Sequence, residues 1–166
     1  VILHAEPELD CANPVAARAA LDKAELVVVM SPFAHGATYA DVMLPVAPFT
    51  ETAGTFVNCE GRVQSFNGVV KPLGETRPAW KVLRALGSML GLAGFGFESI
   101  DEVRAEAVPA AGAIAGRLSN ATSVPIAAPA AQTASLERVA DVPIYFADPL
   151  VRRAESLQQT ADAKPP

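Results

Sequence analysis

The chain has 166 residues, 13 basic and 18 acidic side chains, a net charge of −5 and 51% apolar residues. This supplies one ordinary globular domain, not two, and the negative charge disfavours non-specific binding to nucleic acid or to an anionic membrane. The longest apolar run, Leu86 to Phe97, carries four glycines and falls short of the ~20 residues of a membrane span. No signal-peptide pattern opens the chain, so a soluble, cytoplasmic chain is expected.

Val1-Ile2-Leu3 reads as the middle or end of a buried strand, not as a frayed start, and this suggests a C-terminal fragment of a larger protein. After a strand over Ile2 to His4, the segment Glu6 to Asp10 turns away. Asn13-Pro14 predicts a helix start, a capping Asn followed by Pro where a missing N–H costs nothing, and the helix runs from Val15 to Ala24. Leu26 to Met30 is a continuous β-branched run typical of a strand covered on both faces of a parallel sheet, and a second buried strand follows at Asp41 to Pro45. This spacing predicts an α/β chain, the last third of a doubly wound, Rossmann-like sheet.

Glycines at 54, 61, 68 and 74 punctuate an irregular β-rich stretch with extended pieces at Thr55 to Asn58 and Arg62 to Phe66. Helical spacing returns from Pro78 to Leu92, where Trp80, Leu83, Leu86 and Leu90 share a face. Ser99 to Glu102 reads as a capping box opening a helix that ends near Ala107. Three parts are therefore expected: an α/β domain end over 1–107, an Ala/Pro-rich linker over 108–137, and a tail module over 138–166. In the tail, Val142 to Phe146 reads as an apolar anchor and Asp148-Pro149 starts a last helix through Arg153 to about Gln159.

Signatures of chemistry are sparse. Cys11 and Cys59 lie far apart, too few for an iron–sulfur cluster, and with His4 and His35 they match no zinc spacing. No phosphate-binding glycine loop, dinucleotide fingerprint or nucleophile elbow is present. His35 falls in the loop after a buried strand, where α/β sheets bind ligands, and reads either as a ligand contact or as a loop histidine that is solvated or bonded to backbone. Glu51, Asn58, Glu60 and Arg62 form the densest polar cluster, which could line a pocket or fix the path of a glycine-rich turn. Trp80 reads as a core anchor and Arg152-Arg153 as a solvated face.

Ala40-Asp41-Val42-Met43-Leu44-Pro45, then Thr50-Glu51, then Gly54 to Gln64 together resemble a recurrent stretch of the molybdopterin oxidoreductase superfamily. Lys71 to Leu86 resembles the segment that follows there, a Pro-Gly-Glu-Ala-Arg-x-x-Trp pattern, with Leu73 inserted and Thr76 in place of the alanine. The short Ala/Pro-rich remainder and the segment Ile144 to Ala154 are similar to the large iron–sulfur subunit of NADH-quinone oxidoreductase, respiratory complex I.

That resemblance implies a scaffold and docking portion of an enzyme passing electrons from NADH to quinone. Its 4Fe–4S and 2Fe–2S clusters would lie in an N-terminal part, and this segment would hold no cofactor, metal or catalytic residue. Its partners would be the other proteins of the peripheral arm of complex I, on the cytoplasmic side of the inner membrane, with self-association through an unpaired strand edge. Positions matching the superfamily's cofactor-pocket loops are Thr38, Glu51, Thr55 and Asn58, read as a vestigial pocket. The rival readings are a fragment of a true molybdopterin-dependent oxidoreductase such as a formate dehydrogenase, and a stand-alone interaction module.

Overall fold

The computed structural model describes residues 1–108, 114–119, 121 and 142–163. The chain divides into two compact units, Val1–Ala5 with Lys23–Ala121, and Glu6–Asp22 with Thr122–Pro166.

The first unit is built on a parallel sheet of order β1-β2-β3, formed by Ile2–Leu3, Val28–Ser31 and Val42–Pro45. Val29 pairs with Ile2 on one side and Met43 on the other, so β2 is the middle strand. Its β-branched run has the expected consequence: Val29 and Met30 are fully buried, with Val27, Val46 and Ala47 completing the core beside them. The second predicted strand, β3, is not buried as expected; Val42 is exposed because β3 is an outer strand, bridged beyond its end only where Val46 meets Arg77. Asp41 sets the register, its carboxylate accepting from the Val27 amide at 2.7 Å. His4 closes β1 in the left-handed region (φ 53°) while its amide donates to the Met30 carbonyl.

The glycine-rich stretch forms an antiparallel hairpin, β4 (Gly54–Val57) and β5 (Val63–Phe66), with Phe56 and Phe66 stacked at 5.2 Å. Helix α3 spans Ala79–Met89, and Gly91 beyond it adopts φ 69°. Helix α4, Ile100–Ala107, starts as predicted: the Ser99 hydroxyl accepts from the Glu102 amide, while the Glu102 carboxylate accepts from the amide of Glu98. Arg84 reaches Glu98 at 2.9 Å and ties the two helices' ends together. Gly87 is buried under Phe95, whose ring would lie 2.2 Å from any Cβ built there. A Gly87→Ala substitution must displace that ring and is expected to destabilise this unit by about 1–3 kcal/mol. A denaturation midpoint equal to the wild type's would contradict that packing.

In the second unit α1 (Pro7–Asp10) is a single helical turn where only a bend was expected, and it packs on α2 (Pro14–Leu21). Asn13 caps α2 by accepting from the Ala16 amide at 2.9 Å, and the helix ends three residues before the predicted Ala24. The tail differs from expectation in three ways. The helix predicted from Asp148 to Gln159 is broken into a 3-10 turn, Val151–Arg153, and a short α5, Glu155–Gln158, because Ala154 turns extended (ψ 92°). The apolar anchor is largely in water, with Ile144 71% and Phe146 38% exposed. Arg152, read as part of a solvated face, is instead the buried group, its side chain 5% exposed against Glu6 at 3%.

The Arg152 guanidinium meets Glu6 at 3.0 Å and Asp10 closely, and its Nε donates to the Phe146 carbonyl at 2.6 Å. Arg153 adds a second contact to Glu6 at 2.7 Å. Burial works against the Arg152 charge, but hydrogen bonds and attraction from Asp10 and Glu6 outweigh it and hold the guanidinium above its ordinary pKa. Arg152→Met would leave Glu6 buried with one cation fewer, at a cost of about 3 kcal/mol. Faster limited proteolysis within 142–163 would report the loss, and unchanged protection would contradict it. Phe146→Ala should cost about 1 kcal/mol or less, as its ring is half in water.

Of the expected linker, 108–137, residues 108, 114–119 and 121 are described, with a 3-10 turn at Ala115–Arg117; the rest of it lies outside the described residues, as do 164–166. Among the described residues no helix is long and apolar enough to cross a membrane.

Candidate functional site

The carboxyl end of β2 leads into Ser31, whose hydroxyl accepts from the Phe33 amide at 3.1 Å, and then into a 3-10 stretch, Ala34–Thr38. Gly36 lets this stretch lie directly on the sheet: a Cβ there would come within 3.0 Å of Val29. His35 is thereby held inside the unit, its Nε2–H donating to the Ala5 carbonyl at 3.1 Å. Of the two readings left open for His35, the structure shows the backbone-bonded one. Thr38 sits at the exposed end of the same stretch, past Gly36 over Val29 and on the way back to Asp41 beside Val27, so it lies toward the amino ends of the strands and not at the carboxyl edge where open α/β sheets receive ligands.

The other three predicted positions are spent on holding the chain's own path. Asn58 Oδ1 accepts from the amides of Glu60 (3.1 Å) and Arg62 (2.8 Å), which with Gly61 at φ 79° closes the β4–β5 turn. The Thr55 hydroxyl shares a hydrogen bond with Ser65 opposite it (3.0 Å), and Ser65 accepts in turn from Arg104 at 3.0 Å. The Glu51 carboxylate accepts from the Leu73 amide at 3.0 Å, pinning the 68–73 loop. Glu60 and Arg62 face each other at 3.9 Å in solvent, too exposed to contribute much.

A cleft of about 550 Å³ opens beside this loop, lined by Glu51, Val69, Val70, Lys71, Arg77, Trp80 and Lys81 among others. Thr38, Thr55 and Asn58 are not in its wall. Trp80, expected as a core anchor, is only half-buried and forms part of that wall, with the Lys81 ammonium 5.4 Å from its ring centre. The tryptophan at the helix start, with Lys81 next to it, was legible in the sequence; Lys71, which the loop pinned by the Glu51–Leu73 contact adds to the same cleft, was not.

Thr38, Glu51, Thr55 and Asn58 therefore do not converge on one space. A pterin cofactor held by these four would need their polar atoms directed at one ligand, whereas three of them bond within the chain. Cys11 and Cys59 are both exposed, and among the described residues no three His, Cys, Asp or Glu side chains are grouped to hold a metal.

The parallel sheet, the loop that leaves β2 and the hairpin coincide with a match to the molybdopterin oxidoreductase family model over residues 1–89, and the chain belongs to that family. Among curated proteins it is similar to three from Staphylococcus aureus, strains USA300, COL and MW2, each named "Putative formate dehydrogenase". Each is 43% identical over 75 residues, a stretch that is 45% of this chain and 8% of the relative.

If Asn58 is a turn former, Asn58→Ala should speed amide exchange at Glu60 and Arg62, with a local loss of about 1 kcal/mol. Unchanged exchange at both amides would contradict the assignment.

Proposed function

We propose that this chain is a portion of a molybdopterin-dependent oxidoreductase of the formate dehydrogenase type. Within it the parallel sheet and hairpin serve as scaffold, and the start of the loop that leaves the carboxyl end of β2 at Ser31 is the part directed toward a ligand. The observation that carries this reading is the 43% identity over 75 residues to proteins bearing that name, within a family match over 1–89. The scaffold role is supported by Asn58, Thr55 and Glu51, whose polar atoms are engaged in holding the hairpin and its flanking loop.

The large iron–sulfur subunit of NADH-quinone oxidoreductase is the weaker reading. Its support lies in Ile144 to Ala154, beyond the family match, and in a tail whose apolar residues are largely in water.

The test is to purify the gene product that contains this sequence from its own cells, measure iron, molybdenum and pterin, and assay formate-dependent dye reduction. Stoichiometric molybdenum and pterin with formate oxidation are expected. Iron without molybdenum, together with NADH oxidation and co-eluting membrane proteins, would overturn the proposal in favour of complex I.

A further inference from the structure

The cleft at the start of α3 carries an unusual balance of charge for an acidic chain. Its wall holds three cations, Lys71, Arg77 and Lys81, against a single carboxylate, Glu51, which already accepts from the Leu73 amide. Arg77 reaches Glu75 only at 3.5 Å and in solvent. Among the described residues, no ion pair within 4.0 Å forms at Lys71 or Lys81, although the chain has 18 acidic side chains to offer.

Lys81 is also placed against local stability. It is the third residue of α3, in a first turn with no acidic side chain and no side-chain cap. The positive end of a helix dipole favours a carboxylate there and disfavours an ammonium. The Lys81 ammonium, over the Trp80 ring, is thus a charge that the helix start does not stabilise.

Apolar side chains continue the same surface. Val69 is 82% exposed, and Val70 and Leu73 beside it are exposed as well. A small anion could meet the lysines but would leave these side chains in water. Nucleic acid could likewise meet the lysines through its phosphates but would leave the same apolar side chains in water. A polypeptide presenting carboxylates around apolar side chains satisfies both halves of the surface, charge against charge and apolar against apolar.

We propose that this cleft docks an acidic polypeptide segment of a partner protein, its carboxylates meeting Lys71 and Lys81 and its apolar side chains covering Val69, Val70 and Trp80. The proposal rests on the cleft alone and stands whichever oxidoreductase the chain serves.

The test is fluorescence anisotropy on the purified protein with a labelled synthetic peptide in which Asp and Glu alternate with Leu and Phe. Saturable binding is expected, weakening as salt rises, and falling at least about tenfold in a Lys71→Glu, Lys81→Glu double variant. Circular dichroism checks the variant's fold, which K81E should help, since it places a carboxylate at the helix start. A second peptide with its carboxylates replaced by amides tests the same point without any variant and is expected not to bind.

Equal binding by the variant or by the amidated peptide would overturn the proposal. So would displacement by inorganic phosphate or by a short oligonucleotide at concentrations matching the peptide, which would make this a small-anion or nucleic-acid site. Self-association abolished by the same two substitutions would overturn it too, as the occupant would then be a second copy.

Discussion

Burial of β2 is the constraint on which the first unit depends. A strand that pairs on both edges and is covered over Val29, Met30 and Ser31 has no tolerance for slippage, because a shift of one residue would bring the wrong side chains to each face. The neighbouring polar groups enforce that register: Asp41 accepts from the Val27 amide at one end, and Ser31 accepts from the Phe33 amide at the other. Gly36 then lets the following loop rest on Val29. The loop that leaves β2, with His35 bonded to Ala5 near the carboxyl ends and Thr38 on its exposed return, is therefore placed by the strand beneath it.

The second unit is held by different physics. Its described part offers few large side chains to bury, and those of the tail are largely in water. Arg152 takes the central place instead, satisfied by Phe146, Asp10 and Glu6, while the Gln158 amide donates to the carbonyls of Val151 and Tyr145. A buried cation of this kind is stable only while its partners are all present. This gives the unit a defined arrangement without a hydrophobic core of ordinary size.

The sequence made the local features legible and concealed those that join distant segments. A β-branched run marks β2, glycine spacing marks the two extended pieces that pair as β4 and β5, and Ser99 with Glu102 marks the start of α4; each is a local rule, while the pairing of β4 with β5 into a hairpin was not foreseen. The role of Arg152 was concealed because its carboxylate partners are more than 140 positions away, and a basic pair on a short helix looks the same whether solvated or buried. β3 has the composition of an inner strand but is an outer one, a difference set by topology and not by its residues. At the candidate site, residue types alone left Asn58 and Glu51 open to either a pocket or a structural role, and Thr55 was singled out only by the family resemblance. Only the geometry shows Asn58 and Thr55 holding the hairpin, and Glu51 pinning the 68–73 loop.

The central claim, that β2 holds the first unit together, is tested most directly by amide hydrogen exchange followed residue by residue in the native protein. The account predicts the slowest exchange at Val29, Met30 and Ser31, with the β4–β5 hairpin opening earlier. Exchange at those three amides as fast as in the hairpin would contradict it.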